Sequence, residues 1–332
     1  MTDNTKIFKP VKMYNLTFLL LFLFPVVFPI MERQPELHKN KPAAATIVLR
    51  SADGGQKWQD ISEGLPENLQ PVGFVEKNNT VYMRSGNAIF HSKANSTAPF
   101  WEKETFPDNY SEIADCKAGV FAFSYDGQFF QRKTGTNAWL PVYTNFPYKA
   151  LRTVFETAGG ALFIGSDYGL FKSSDGGKNW KQVYNEGWVI KMVASKGLLL
   201  ATSQRGIIRS ADDGEHWETV ISEGGVGIAI DKIEGGFAAI TYNTKSETRR
   251  VRTSYDGGKT WQPIDAGLPA SRSIASIIQV GDYFFCGHPG GIYRSPDKGK
   301  TWKLLVPSQG NKVFNLFVSG NVIYAIPRNG GC

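Results

Sequence analysis

The stretch that decides the fold is SSDGGKNW, residues 173–180, because near copies of it recur along the chain. The copies are SADGGQKW at 51–58, SADDGEHW at 210–217, SYDGGKTW at 254–261 and SPDKGKTW at 295–302. All of them place Ser, Asp, Gly and Trp in the same order and spacing. A motif that returns at a steady interval indicates a repeat architecture, in which each copy belongs to one structural unit.

The tryptophans give the length of the repeat. Seven of the eight tryptophans fall about 40 residues apart, an interval typical of β-propeller blades, and these are Trp58, Trp101, Trp139, Trp180, Trp217, Trp261 and Trp302. Trp101 and Trp139 lack the Ser–Asp pair, but they stand where the interval requires them. The sequence therefore predicts that these two tryptophans mark degenerate copies of the same unit.

Each unit shows the pattern of four short strands. In residues 150–184, the segments LRTVF, ALFIG, LFKS and WKQVY are separated by turns rich in Gly, Ser and Asp. Short apolar runs joined by such turns are typical of antiparallel sheets. We name the four strands A to D from the centre outward, so that the Ser–Asp motif joins strand C to strand D.

The two ends of the chain predict how the repeats close. They begin with TIVLRS (46–51), which matches a C strand, and end with KVFNLFVSGNVIYAIP (312–327), which matches an A and a B strand. Together the two ends complete one further sheet, and their pairing removes the free edges that an open array would expose. The predicted fold is all-β, a seven-bladed β-propeller over residues 46–332 with four antiparallel strands per blade and a closing blade shared by both termini.

The recurring motif fits a structural turn. Glycine adopts positive φ at little cost, and Ser and Asp side chains can hydrogen-bond to the nearby backbone. Calcium, the alternative, needs six to eight oxygen ligands, whereas each turn offers about one carboxylate. We therefore predict no metal and no cofactor. We assign the structural role to Ser51, Asp53, Gly55, Trp58, Ser173, Asp175, Gly177, Trp180, Ser210, Asp212, Gly214, Trp217, Ser254, Asp256, Gly258, Trp261, Ser295, Asp297, Gly299 and Trp302.

Composition and charge narrow the range of partners. The net charge is +7, but no basic stripe with interleaved aromatic residues is present, so nucleic acid is not an expected partner. The three cysteines, Cys116, Cys286 and Cys332, include no Cys-x-x-Cys pair. This count speaks against a zinc site and a disulfide framework, and it leaves a single bridge open without choosing the pair.

The N-terminus has the layout of an export signal. Three lysines precede the uncharged apolar run NLTFLLLFLFPVVFPIM at 15–31, as in a signal peptide or a signal anchor. The lysines predict that the N-terminus stays in the cytoplasm and that the remainder is exported to the periplasm, the cell surface or the medium. We expect residues 1–31 to be a cleaved signal or an uncleaved anchor that holds the protein at a membrane, and residues 32–45 to be a linker.

The motif matches the Asp-box, or BNR repeat, of pattern Ser-x-Asp-x-Gly-x-x-Trp. The chain resembles the BNR propellers, which include sialidases, some endoglucanase-type glycosidases, the sortilin ectodomain and photosystem II assembly-factor-like proteins. In that family the Asp-boxes lie on the rim away from the catalytic face, so the resemblance implies a fold more than a function. A sialidase would carry an Arg-Ile-Pro motif, three substrate-binding arginines, a Tyr–Glu pair and an acid–base Asp, and this chain has no Arg-Ile-Pro.

The predicted topology indicates where a ligand would bind. In a closed ring the D–A and B–C loops share one face and the Asp-boxes occupy the other.

Trp188 is the one tryptophan out of register, and an amphipathic ring at a channel mouth suits a carbohydrate or a peptide, although packing beneath a loop is the alternative. The long B–C connection at 243–252 contains Arg249 and Arg250, which would attract an acidic partner, although a tolerated surface insertion is the alternative. The predicted binding residues are Arg84, Asp126, Asp167, Tyr168, Trp188, Arg205, Arg272 and His288, with Tyr110, Tyr148 and Arg328 on the same loops.

These features favour a binding protein over an enzyme. We expect an exported, non-catalytic propeller that serves as a binding or assembly module for a protein or glycan outside the cytoplasm. The alternative is a glycoside hydrolase of exo-sialidase or glucanase type, which would need two carboxylates about 5 to 10 Å apart at the channel mouth. Asp126 and Asp167, on neighbouring units, are the acids nearest to that requirement.

Overall fold

The computed structural model describes residues 46–329, apart from 68, 72, 86–87, 95–100, 107–110, 134, 137, 309 and 311. The predicted signal or anchor (1–31) and linker (32–45) lie outside the described residues, as do Tyr110 and Cys332. Within the described residues every regular element is a β-strand, and no helix there is long and apolar enough to cross a membrane.

Seven sheets of four antiparallel strands form the blades. Blade 1 contains β3 (Gly73–Lys77), β4 (Thr80–Ser85), β5 (Ala88–Lys93) and β6 (Glu102–Thr105). Blade 2 contains β7 (Ser111–Cys116), β8 (Gly119–Ser124), β9 (Phe129–Arg132) and β10 (Trp139–Val142). Blade 3 contains β11 (Leu151–Glu156), β12 (Leu162–Ser166), β13 (Gly169–Ser173) and β14 (Lys181–Tyr184).

The remaining blades follow in the same way. Blade 4 contains β15 (Val189–Ser195), β16 (Leu198–Ser203), β17 (Gly206–Ser210) and β18 (Glu218–Ile221). Blade 5 contains β19 (Gly224–Ile233), β20 (Gly236–Asn243), β21 (Thr248–Ser254) and β22 (Gln262–Pro263). Blade 6 contains β23 (Ser276–Val280), β24 (Tyr283–His288), β25 (Gly291–Ser295) and β26 (Lys303–Pro307). The closing blade contains β1 (Leu49–Ser51), β2 (Gln59–Asp60), β27 (Lys312–Ser319) and β28 (Val322–Asn329).

The first strand of each unit faces the centre of the ring. β11 contacts β7 of the preceding blade and β15 of the following one, and β23 contacts β19 and β27 in the same manner. The fourth strand, such as β14, pairs only with the third strand of its own sheet. The predicted ring of seven four-stranded blades is therefore confirmed, with strand A innermost.

The closing blade joins the two ends of the chain. β1 pairs antiparallel with β28, with Leu49 opposite Ala325 and Ser51 opposite Ile323. The buried Tyr324 donates a hydrogen bond from its hydroxyl to the carbonyl of Ala94 in blade 1. The sheet shared between the termini is the one that the sequence predicted, and it makes the last two strands part of the ring.

The hydrophobic core lies between neighbouring blades. Leu200 and Ile207 of blade 4 pack with Ile230 and Phe237 of blade 5, and all four side chains are buried. The inner strands of a blade are covered on both faces, so β16 reads as the apolar run LLLATS rather than as an alternation. Each blade contributes to two of these layers, which is why a single repeat cannot form a core by itself.

The Asp-box forms the C–D turn through hydrogen bonds that four of the five copies share in full, whereas in the fifth the indole N–H of Trp302 donates to the carbonyl of Ile264 instead. The copy in blade 3 shows the pattern. The backbone N–H of Gly177 donates to Ser173 Oγ over 2.9 Å, and Ser173 Oγ donates to Asp175 Oδ1 over 2.8 Å. The backbone N–H of Asn179 donates to the same carboxylate oxygen over 2.9 Å, and the indole N–H of Trp180 donates to the carbonyl of Gly177 over 3.1 Å. These four hydrogen bonds close the turn between strands C and D.

The two degenerate copies use different partners. The indole N–H of Trp139 donates to Glu104 Oε2 of blade 1 over 2.8 Å, and that of Trp101 donates to the carbonyl of Ile61 over 2.7 Å. The Glu104 side chain is fully buried, and it also accepts three hydrogen bonds from Arg132, over 2.6 to 3.1 Å. The ion pair between Glu104 and Arg132 thus links blades 1 and 2 next to a C–D turn that lacks the Ser–Asp pair.

Candidate functional site

The D–A and B–C connections meet on one face of the ring, which we call the B–C face. The backbone N–H of Ala150, in the connection into blade 3, donates to the carbonyl of Tyr125 in the B–C turn of blade 2. The backbone N–H of Asp167, in the B–C turn of blade 3, donates in turn to the carbonyl of Ala150. The Asp-boxes lie at the opposite ends of the same strands. Residues from neighbouring blades therefore converge on the B–C face.

Three side chains from blades 2 and 3 form a hydrogen-bonded cluster on this face. Arg152 of β11 donates from Nε to Asp167 Oδ1 over 2.6 Å, and the hydroxyl of Tyr125 donates to Asp167 Oδ2 over 2.5 Å. The guanidinium carbon of Arg152 lies 5.5 Å from the centre of the Tyr125 ring. Both carboxylate oxygens of Asp167 are thus engaged, and the three groups brace one another.

The cluster sets the protonation states of its members. Burial opposes ionisation of Asp167, but the hydrogen bonds from Arg152 and Tyr125 outweigh it and hold the pKa of that carboxyl below its usual value. The hydrogen bond to Asp167 raises the pKa of the Tyr125 phenol. At neutral pH Asp167 is therefore a carboxylate and Tyr125 a neutral phenol.

An open groove of about 890 Å³ lies beside this cluster on blade 3. We call it the tyrosine groove. Its wall combines aromatic rings with uncharged amides, one lysine and the Asp167 carboxylate. The groove is lined by Pro147, Tyr148, Lys149, Asp167, Tyr168, Phe171, Gln182, Asn185 and Gly187.

The tyrosines of the groove are held in place from beneath. The rings of Tyr148 and Tyr168 have centroids 6.0 Å apart and planes inclined by 44°, and both residues are largely exposed, at 43% and 56%. The Tyr148 ring packs on Phe171 at 4.7 Å and on Phe146 at 5.7 Å. The Tyr148 ring is therefore supported by the buried Phe171 and the partly buried Phe146, so a ligand would meet an ordered ring there.

Arg84 lies in a second charged group near the inner strands. Its guanidinium is buried and lies 3.8 Å from Glu112 of β7. Burial raises the pKa of the Glu112 carboxyl, and the charges of Arg84 and Arg328 oppose that rise. The Arg84 side chain therefore lies against Glu112 and does not project into solvent.

The other predicted residues fall into two groups. Asp126, Arg205 and Arg272 are exposed; Arg205 lies 3.4 Å from Glu186, and Arg272 forms an ion pair with Glu247. His288 differs because it is only 4% exposed, its Nε2 lies 2.9 Å from the carbonyl of Pro269, and its Nδ1 accepts the backbone N–H of Gly290. Burial lowers the pKa of His288, so the neutral ring supports a loop.

Trp188 is half-buried at the start of blade 4, directly after Gly187 of the groove wall. Its backbone carbonyl accepts the N–H of Gln204. This placement on the B–C face agrees with the topology expected from the sequence.

The arginines of the 243–252 connection are engaged within the protein. Arg250 forms a two-point contact with Asp265, over 2.7 and 3.1 Å, and Arg249 donates to the carbonyl of Ile274 over 2.9 Å. These contacts tie the β20–β21 hairpin to the loop that enters blade 6. The positive charge expected there is thus neutralised in part by the protein itself.

Sequence reasoning did not select Tyr125 or Arg152 as binding residues, although it selected their partner Asp167. The signal that could have found them is the concentration of exposed tyrosines between residues 125 and 168. Tyr125, Tyr143, Tyr148 and Tyr168 all fall in that interval. Exposed tyrosines that share one region of a surface are typical of a contact site.

Comparisons with known proteins agree with this fold. A family model described as BNR-Asp box repeat matches residues 170–183, and one described as BNR/Asp-box repeat matches residues 252–263. No curated protein matches the chain. The first matched segment contains the motif at 173–180, and the second contains the motif at 254–261.

Solved structures share the architecture at low identity. The GH74 xyloglucanase from Xanthomonas campestris matches with a TM-score of 0.61 at 15% identity, over 82% of this chain and 53% of that one, so this chain spans about half its length. YCF48 from Cyanidioschyzon merolae matches with a TM-score of 0.58 at 14% identity, over 78% and 95% of the two chains. YCF48 bound to D1 peptide matches with a TM-score of 0.55 at 12% identity, over 78% and 93%. The structural neighbours thus include a glycosidase and a peptide-bound propeller, and the present chain is a seven-bladed β-propeller that carries BNR/Asp-box repeats.

Proposed function

We propose that the protein is an exported, non-catalytic propeller that binds a protein or glycan outside the cytoplasm through its B–C face. The observation that carries this proposal is the tyrosine groove together with the adjoining Tyr125. Tyrosine offers a large apolar ring with a polar hydroxyl, a combination enriched where proteins contact ligands. The apolar segment 15–31 supports export, and it would keep the protein at a membrane if it is not cleaved.

The carboxylates of this face support binding rather than hydrolysis. A glycosidase needs one carboxyl group that donates a proton and a second that attacks or activates water. Asp167 is held ionised by Arg152 and Tyr125, with both oxygens engaged. Its arrangement is that of a structural carboxylate, and Asp126 in the neighbouring turn is exposed to solvent.

The alternative is a glycoside hydrolase of exo-sialidase or glucanase type. One observation favours it, because the hydrogen bond from Tyr125 to Asp167 is similar to the tyrosine–carboxylate pair implied by the sialidase resemblance. Against it, the pKa of Tyr125 is raised rather than lowered, which keeps the phenol neutral and a poor nucleophile. The binding proposal therefore stands ahead of the hydrolase.

A substrate screen separates the two proposals. The full chain is tested against fluorogenic sialosides, glucosides and xylosides, beside the double variant Asp126→Asn, Asp167→Asn. We expect no turnover that depends on either residue. Turnover by the native chain that the double variant abolishes would overturn the binding proposal in favour of the hydrolase.

A capture experiment tests the proposed surface. The full chain with a C-terminal tag, solubilised in mild detergent, is used as bait for envelope proteins and immobilised glycans. A triple variant with Tyr125, Tyr148 and Tyr168 changed to Ala should lose the specific partner. Tyr255→Ala is the matched control because Tyr255 is also exposed but lies within an Asp-box on the opposite face. Equal capture by all three proteins would contradict the proposal.

A further inference from the structure

We propose that the tyrosine groove binds a glycan, with pyranose rings stacked on Tyr148 and Tyr168. This inference rests on the proposed function and names the ligand class of the same site. The face of a pyranose presents carbon-bound hydrogens, which pack favourably on the electron-rich face of an aromatic ring. The two exposed rings, 6.0 Å apart between centroids and inclined by 44° to each other, form an angled platform on which each ring can take one sugar ring.

The platform is ordered before any ligand arrives. Phe146 contacts Phe171 at 5.2 Å and Trp180 at 5.3 Å, and Tyr148 rests on this group. The carbonyl of Tyr168 accepts a 2.7 Å hydrogen bond from Gln182 Nε2. These contacts support the Tyr148 ring and hold the backbone of Tyr168, and an aromatic side chain loses little freedom on binding compared with a long flexible one.

The polar wall of the groove matches hydroxyl groups. Asn185 supplies an amide that can both donate and accept, Lys149 supplies a donor, and Asp167 is a carboxylate with lone pairs beyond those used by Arg152 and Tyr125. Sugar hydroxyls donate and accept, so they can satisfy all three groups at once. The rim therefore has the mixed hydrogen-bonding capacity that a chain of sugars requires.

The same wall disfavours a proline-rich peptide, which is the other common occupant of an aromatic groove. Proline has no backbone N–H, so such a peptide would present mainly carbonyl oxygens. A carbonyl placed against the Asp167 carboxylate would leave two acceptors facing each other. The glycan is the occupant whose donors fit Asp167.

The experiment is a calorimetric titration of the full chain in mild detergent with cellohexaose, chitohexaose and xylohexaose, and separately with a proline-rich decapeptide. We expect at least one hexasaccharide to bind. Tyr168→Ala should weaken that binding about tenfold, the loss expected for one stacked ring. Tyr168→Phe should retain most of it, because the stacking face is kept.

Two further variants guard against a folding artefact. Asn185→Ala, in which an exposed rim residue is shortened, should weaken binding several-fold, while Tyr255→Ala on the opposite face should leave it unchanged. Urea unfolding of each variant confirms that the fold is intact. Failure of all three hexasaccharides to bind, or binding that Tyr168→Ala leaves unchanged, would overturn the inference.

The outcomes also distinguish this inference from the proposed function. If the peptide binds in place of the sugars and Tyr168→Ala weakens it, the glycan assignment is wrong while the B–C face remains the binding surface. If neither probe binds and the triple tyrosine variant captures partners as well as the native chain does, the proposed function itself fails.

Discussion

Replacing Gly214 by alanine tests whether the Asp-box glycines are required by backbone conformation alone or also by packing. Gly214 has a φ of +82°, a region that residues with a Cβ atom adopt at a cost. An added Cβ would also lie 2.5 Å from the ring of Phe163, which is fully buried in the layer between blades 3 and 4. The equivalent Gly177 has nearly the same φ, +88°, but its nearest neighbour would be Trp180 at 3.6 Å.

The two substitutions should therefore differ by the packing cost. The left-handed conformation costs about 1–2 kcal/mol for a residue with a side chain, and loss of glycine freedom in the unfolded chain offsets about 0.4–1 kcal/mol of that. Gly177→Ala should thus destabilise by about 1 kcal/mol. Gly214→Ala adds an overlap in a close-packed core, which costs about 1–3 kcal/mol more.

Urea unfolding followed by tryptophan fluorescence measures the comparison, because every Asp-box carries a tryptophan close to the turn. We expect Gly214→Ala to unfold at a clearly lower urea midpoint than Gly177→Ala, and both to unfold below the native chain. Equal midpoints for the two variants would refute the packing argument. A native midpoint for both would refute the assignment of a positive φ to these turns.

Three other perturbations test the remaining parts of the fold. The hydrogen bond from the backbone N–H of Asn179 is the main cause that lowers the pKa of Asp175 to about 2. The ionised Asp175 therefore stabilises the fold fully above the unfolded pKa near 4, and this stabilisation is lost as the pH falls through about 2. The unfolding free energies of the native protein and of Asp175→Asn should converge over that pH interval. Glu104→Gln removes a fully buried carboxylate and its ion pair with Arg132, whose side chain is 14% exposed, and should cost about 3 kcal/mol in urea unfolding. Asp115→Asn, at an exposed ion pair, should cost less than about 1 kcal/mol. Deletion of 312–332 removes β27 and β28 and should abolish the cooperative thermal transition, so a truncated chain that melts in one sharp step would contradict the closed ring.

The blades were predictable because their information is local and repeated. Each Asp-box turn is specified within eight residues, so the hydrogen bonds that Ser173 donates and accepts and those that the Asp175 carboxylate accepts follow directly from the motif. The interval between tryptophans then fixes the number of blades. The pairing of Leu49 with Ala325 follows from the half-unit at each end of the chain.

The candidate site was less predictable because its contacts join residues that are distant in sequence. Tyr125 and Asp167 are 42 positions apart, and only the ring brings their turns together. His288 was expected on the surface because it lies in a B–C turn, but its ring turns inward to the carbonyl of Pro269. A turn pattern specifies the path of the backbone, whereas the direction of each side chain depends on the hydrogen-bonding and packing groups that neighbouring loops and blades place near it.

The separation of the two faces explains why one scaffold can hold a fixed ring and a variable site. On the Asp-box face the blades are joined by side chains, as where Lys172 of blade 3 donates to both Asp213 and Glu215 within the Asp-box of blade 4. On the B–C face the neighbouring turns are joined by backbone groups, such as the N–H of Ala150 and the carbonyl of Tyr125, in addition to the side-chain hydrogen bond from Tyr125 to Asp167. Backbone bonds leave the side chains of those turns free to change without loss of the connection. The face whose side chains hold the ring together is therefore constrained, and the opposite face is the one on which a binding surface can vary.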